Sequence, residues 1–291
     1  MSDNYAHPEY LAETAWLAER LGDPNLRVFD CTVDMTNDPE KGYAIKNGRG
    51  KYESGHIEGA AFIDLMDEFK DPDHTLNFML PPPDLFVSLA SRYGIGPGTE
   101  VVLYNNGPTW WATRMWWNLR AHGFDSARVL NGGFEKWVAE GRPIEPGTNT
   151  YPPATFVSQP REGLIVGKDA VLAAIDDPDC LILNALSPEL HRGDKLQYGR
   201  PGHIKGSVNV PARPLLDDDS FAFKPAAALR AAFAPVGALE AKRVMNYCGG
   251  GISATTTLFA LALLGHRGVQ LYDASMTEWG RDESLPMETG A

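Results

Sequence analysis

The chain has 291 residues, 26 basic against 38 acidic, giving a net charge of −12 with 43% hydrophobic residues. Such an acidic surface lacks the basic footprint that nucleic acid or an anionic membrane requires, so neither is expected as a partner. The length suits two domains, and the three cysteines, Cys31, Cys180 and Cys248, are too dispersed for a disulfide framework or a metal cluster.

Residues 1–10 are polar, without the apolar core of a signal peptide, and no long uncharged apolar run follows. A reducing, cytoplasmic setting is therefore expected. Residues 26–29 form a short apolar strand ending in Asp30-Cys31, and residues 32–51 read as polar and irregular. The block Tyr52-Glu53-Ser54-Gly55-His56-Ile57-Glu58-Gly59-Ala60 leads into Phe62-Ile63. After the break at Pro81-Pro82-Pro83, residues 84–93 have helical spacing with Asp84 as cap. Residues 101–104 predict a strand, 109–122 a helix, 128–130 a strand and 133–140 a helix. Strands alternating with helices imply a mainly parallel sheet with helices on both faces.

The second half repeats this order. Residues 181–183 with Asn184 answer 28–29 with Asp30; Gly202-His203-Ile204-Lys205-Gly206-Ser207 answers residues 55–60; residues 244–247 answer 101–104. Asp273-Ala274-Ser275-Met276-Thr277-Glu278-Trp279 answers Asn131-Gly132-Gly133-Phe134-Glu135-Lys136-Trp137. Two α/β domains of one architecture follow, over residues 1–145 and 161–291, with the Pro- and Thr-rich stretch 146–160 as linker.

The halves differ at one loop. After the strand 244–247 come Cys248, Gly249, Gly250, Gly251, Ile252 and Ser253, then an apolar helix over 255–264 with Ser253 as its cap. Consecutive glycines let backbone N–H groups converge, and a helix N-terminus adds a positive dipole end; both favour thiolate over thiol at Cys248. The matching loop of the first half, Asn105-Asn106-Gly107-Pro108-Thr109-Trp110, has no thiol, and its proline lacks an N–H. One half is equipped to react. The other is expected to cover the site and shape its entrance.

Together these residues resemble the two-domain rhodanese-type sulfurtransferases, the thiosulfate and 3-mercaptopyruvate sulfurtransferases. The likeness spans nearly the whole chain: the aromatic and His-Ile-x-Gly-Ala signature over 52–60, with Glu58 where proline is usual; the Cys248–Ser253 loop; and the Asp-x-Ser block over 273–279, with Ala274 and Met276 as departures. It implies tandem rhodanese-like domains and a persulfide on Cys248, formed from a sulfane-sulfur donor and passed to cyanide or a thiol. The N–H groups of Gly249, Gly250, Gly251, Ile252 and Ser253 would hold anionic sulfur, with no metal or organic cofactor, in a monomer or weak dimer.

Thiosulfate-specific relatives resemble Cys-Arg-Lys at the loop, so Gly249 and Gly250 predict poor use of that dianion and better use of a mercaptocarboxylate. Installing Arg and Lys at these positions is expected to reverse this. Arg192 is a possible substrate-binding fork, because Leu190 stands where the family has a donor-binding arginine. His56 matches a proton relay of the mercaptopyruvate branch, yet it shares its block with His203, and both read as structural. Cys31 and Cys180 read as inert, and Trp110, Trp111, Trp116 and Trp117 as packing. A cysteine phosphatase or arsenate reductase on the same fold would need arginine where Ala254 stands; a non-catalytic binding module would lack the thiol in both halves.

Overall fold

The computed structural model describes residues 4–38 and 42–290, which divide into two compact units. The first comprises Glu9–Arg161 with Asp218–Ala222; the second takes the residues up to Pro8, Glu162–Asp217 and those from Phe223 onward.

In chain order the first unit contains β1 (Leu11–Ala12), α1 (Thr14–Ala18), β2 (Leu26–Asp30), β3 (Val33–Asp38), β4 (Gly42–Asn47), α2 (Arg49–Ser54), β5 (His56–Ile57), β6 (Ala61–Phe62), α3 (Pro83–Arg92), β7 (Glu100–Tyr104), α4 (Trp110–Ala121), β8 (Ala127–Leu130), α5 (Gly133–Ala139) and β9 (Ile144–Glu145). Its sheet is parallel in the order β1-β8-β7-β2-β6, and β5 pairs antiparallel with β9. The central strand β7 is buried from Val101 to Tyr104, as a parallel strand covered on both faces must be.

The second unit contains β10 (Ile165–Val166), α6 (Lys168–Ala174), β11 (Cys180–Asn184), α7 (Pro188–Arg192), β12 (His203–Ile204), β13 (Val208–Asn209), α8 (Ala226–Phe233), β14 (Arg243–Tyr247), α9 (Ser253–Leu263), β15 (Val269–Tyr272), α10 (Ser275–Trp279) and β16 (Met287–Glu288). Its sheet order, β10-β15-β14-β11-β13, is the same permutation, and β12 pairs antiparallel with β16 as β5 does with β9. The internal repeat holds to single hydrogen bonds. Tyr104 Oη accepts the Ile57 N–H at 3.2 Å, and Tyr247 Oη accepts the Ile204 N–H at 3.0 Å. Trp137 Nε1 donates to Pro143 O at 2.9 Å, and Trp279 Nε1 to Pro286 O at 3.0 Å.

Three local expectations are corrected. The polar stretch 32–51 holds the antiparallel hairpin β3–β4 and the helix α2, while residues 39–41 lie outside the described residues. Ile45 there is 37% exposed, and the pairing of β3 with β4 runs backbone to backbone from Val33 opposite Asn47. Helix α3 is capped by Pro82, with Pro83 in its first turn, so Asp84 is helical instead of capping. Likewise Ser253 is the first residue of α9, and Ile252 holds the cap position without a side-chain bond. The stretch 146–160 falls within the first unit, where Tyr151 Oη accepts the Val28 N–H at 2.8 Å and Phe156 is buried beside Phe86.

Candidate active site

The parallel sheet of the second unit delivers Cys248 from the end of β14, and α9 leaves five residues later. Two carbonyls fix how the loop lies. Cys248 O accepts the Met276 N–H at 3.1 Å, and Gly249 O accepts the Thr277 N–H at 2.8 Å and the Thr277 hydroxyl at 2.6 Å. Every peptide in the described chain is trans, so the N–H groups of Gly249 and Gly250 point away from α10, opposite to the carbonyls that share their planes. Buried Ser275 completes the frame: its Oγ accepts the N–H of Cys248 and of Gly251, both at 3.1 Å, and donates to Tyr272 O at 2.8 Å.

Among the described residues, the N–H groups of Gly249, Gly250, Ile252 and Ser253 have no protein acceptor. That of Gly251, expected to join them, is held by Ser275 instead. The remaining donors lie in the stretch from Cys248, which is 2% exposed, to the first residue of α9. Unsatisfied amides at a helix N-terminus favour a bound anion.

The first unit shows how the same loop is closed off. There the Asn106 N–H donates to Thr32 Oγ1 at 2.9 Å and the Gly107 N–H to a Glu135 carboxylate oxygen at 2.5 Å. Asn105, in the place of Cys248, donates through Nδ2 to the carbonyls of Asn106 and Pro108, each at 2.8 Å. In the second unit Leu186 stands for Thr32 and Thr277 for Glu135, which leaves the Gly249 and Gly250 amides unclaimed.

Arg192 does not join the loop. Its guanidinium pairs with Asp194 at 2.7 Å and lines a cavity of about 450 Å³ with His191, His203, Ser207 and Glu288, which no residue of 248–253 lines. His203 Nδ1 bonds His191 O at 2.7 Å and His56 Nδ1 bonds Tyr52 O at 2.8 Å, matching framework contacts in both units. Cys31 is buried and Cys180 half-buried; burial pushes both thiols up, Cys31 well up, which disfavours their thiolates.

Sequence reasoning missed Tyr198. A Cβ built on Gly249 would fall 2.1 Å from Tyr198 Oη, whereas one on Gly250 meets only Thr277 Oγ1, at 3.8 Å. The two glycines, read from the sequence as equivalent places for a cation, are therefore not equivalent. Ser275 also went unassigned, although its place in the repeated block opposite Gly133 was a usable signal: both residues have left-handed backbones, φ 52° and 55°.

Two parallel α/β units of one topology, with a thiol in an amide-lined loop of the second, define a tandem cysteine-loop protein. The rhodanese-like domain model matches residues 13–140 and 168–282. The sulfur carrier protein TtuD of Thermus thermophilus is 34% identical over 98% of this chain and 99% of its own, and the 3-mercaptopyruvate sulfurtransferase of Escherichia coli is 30% identical over 94% and 95%. The crystal structure of SseA, a 3-mercaptopyruvate sulfurtransferase from Escherichia coli, superposes with a TM-score of 0.79 at 28% identity, covering 91% of this chain and 98% of that one. The chain belongs to the rhodanese family, as a two-domain rhodanese-type sulfurtransferase.

Proposed function

We propose that the protein moves sulfane sulfur from a low-charge donor, of the 3-mercaptopyruvate kind, to a thiol or cyanide through a persulfide on Cys248. The thiolate attacks the donor's transferable sulfur, the bond from that sulfur to the rest of the donor breaks, and the remainder leaves with the electron pair. For a mercaptocarboxylate the departing carbon takes up a proton. An acceptor nucleophile then attacks the outer sulfur of the persulfide, and the Cys248 thiolate is regenerated.

One observation carries this reading: the Gly249 and Gly250 amides are unclaimed beside the thiol, while their counterparts in the first unit are bonded to Thr32 and Glu135. Such donors stabilise charge on sulfur as an oxyanion hole does on oxygen. The relatives named as sulfurtransferases support the reaction class, and the one named as a sulfur carrier protein is in keeping with sulfur held on the chain before transfer.

The test is intact mass after donor addition. Wild type, Cys31→Ser and Cys180→Ser should each gain one sulfur atom, and Cys248→Ser should gain none. Turnover by Cys248→Ser would remove the persulfide route.

A further inference from the structure

The two units repeat one pocket and fill it differently. In the first, Asn149 occupies it: its Nδ2 donates to His56 Nε2 at 3.1 Å, Ala60 O at 3.2 Å and a Glu145 carboxylate oxygen at 2.7 Å, and its backbone N–H donates to Tyr52 Oη at 2.8 Å. Three acceptors thus converge on one NH2 group. The second unit holds their counterparts in the same register. His203 pairs with Glu288 across β12 and β16 as His56 pairs with Glu145 across β5 and β9. The Gly206 N–H donates to Glu288 Oε2 at 3.0 Å as the Gly59 N–H does to Glu145 Oε1 at 2.8 Å, and Ser207 follows Gly206 as Ala60 follows Gly59. The likeness runs on to Gly290, whose N–H donates to Arg192 O at 2.9 Å where that of Gly147 donates to Glu53 O at 2.9 Å. Where Asn149 sits in the first unit, the second has the cavity of about 450 Å³ that His191, His203, Ser207 and Glu288 line.

We propose that this cavity is a second ligand site, lined by no residue of the Cys248 loop, which takes the primary carboxamide of a small molecule. Its acceptors are the counterparts of those that hold the Asn149 amide: His203 Nε2, Ser207 O and the Glu288 carboxylate. His203 Nε2 lies 4.0 Å from Glu288 Oε2, where the first-unit pair is 3.7 Å apart. The tautomer is set alike in both units, because His203 Nδ1 donates to His191 O at 2.7 Å, and this leaves Nε2 of the neutral ring as an acceptor. An amide NH2 supplies the donors that such a group of acceptors lacks. His191, in the place of Tyr52, is 5% exposed and its Nδ1 has no hydrogen-bond partner among the described residues, so the residue replacing Tyr52 also carries an unused hydrogen-bonding atom. Arg192, which also lines the cavity, pairs with Asp194 at 2.7 Å, and Glu288 repels a carboxylate, so a neutral amide is favoured over an acid. A protonated amine would meet two neutral acceptors and a half-exposed carboxylate, at the larger cost of desolvating a charge.

The probe is N-acetyl-L-asparagine methylamide, which reproduces the Asn149 side chain and backbone N–H. Two analogues accompany it, one with the aspartate carboxylate and one with a diaminopropionate ammonium in place of the side-chain amide. Each is titrated into the full chain at about pH 7.5, above the ordinary histidine value, while the ring Hε1 resonances of the histidines are followed by NMR. The carboxamide should shift the His203 signal saturably in wild type. Glu288→Ala should weaken that binding about tenfold, the scale of a lost hydrogen bond to a charged acceptor, with sulfur uptake at Cys248 unchanged. Glu145→Ala, in the pocket that Asn149 already fills, should bind the probe as wild type does. The absence of a saturable shift at His203, equal binding of the carboxylate, tighter binding of the ammonium, or a Glu288→Ala protein with wild-type affinity would each overturn the carboxamide site.

Discussion

Ser275 Oγ receives the Cys248 N–H at 3.1 Å from a backbone held at φ 52°, where the first unit places Gly133. A serine in that region is disfavoured by about 1–2 kcal/mol, and the bonds it makes to the loop offset the strain.

Removing the hydroxyl should therefore loosen the loop. Ser275→Ala removes the Oγ that accepts from two buried N–H groups and keeps the strain; a stability loss of about 2–3 kcal/mol is expected, with Ser275→Gly about 1 kcal/mol milder. Both should slow the mass gain at Cys248 about tenfold or more, by disordering the amides. Urea midpoints and the rate of sulfur uptake check this; a Ser275→Ala protein that loads at the wild-type rate would contradict it.

A second prediction concerns Gly250, where a side chain meets only Thr277 Oγ1, in ordinary contact at 3.8 Å. Gly250→Lys should raise kcat/KM for thiosulfate about fivefold at low ionic strength, the scale of a partly exposed charge pair, and the gain should shrink as salt is added. A salt-independent gain, or none, would mean that the dianion's charge is met elsewhere.

Asp30 of the first unit is buried, and burial pushes its carboxyl up to about 6, against hydrogen bonds from Thr32. An acid whose folded pKa is raised leaves stability intact below its ordinary value of about 4; stability then falls as the pH rises through about 6. The repeat supplies its own control. Asn184 holds the same place in the second unit, its Nδ2 donating to Tyr247 Oη at 2.8 Å. Asp30→Asn should flatten the stability profile between pH 4 and 6 and stabilise the protein at pH 7 by up to about 3 kcal/mol, as measured by denaturant unfolding across pH.

The reciprocal exchange concerns His191, stacked on His203 at 3.8 Å between centroids where Tyr52 stacks on His56 at 4.1 Å. Burial pulls His191 down to about 4, helped by repulsion from His203 and Arg192. A depressed histidine contributes full stability above its ordinary value near 6.5, and loses it as the pH falls toward 4. His191→Tyr should reduce that acid-side loss, the adjacent cavity giving the larger ring room. Unchanged acid midpoints would place the sensitivity elsewhere.

What was legible in the sequence was local or repeated. Cys248 and its glycines are consecutive, and the Gly-His-Ile and Trp-ending blocks recur in order, so the tandem fold and the reactive loop could be read without coordinates. Tyr198 could not, because it meets Gly249 from 51 positions away through chain with no regular pattern. The Gly251 amide was misassigned because glycine announces conformational freedom and says nothing of what its N–H will meet; Ser275 takes it from across the fold. Arg192 was proposed on sequence proximity to a family position, and Asp194, two residues on, holds its guanidinium.

The five residues of α10 carry loads at both ends. Its first turn binds the carbonyls of Cys248 and Gly249, and its last residue, with the turn beyond, binds Arg200 and so the chain bearing Tyr198. Loop and Tyr198 segment thus share α10 as an anchor, and a thermal opening that unwinds α10 loosens both. In amide hydrogen exchange the Cys248, Met276 and Thr277 protons should decay with one shared rate, and Arg200→Ala, remote from the thiol, should accelerate all three by a common factor.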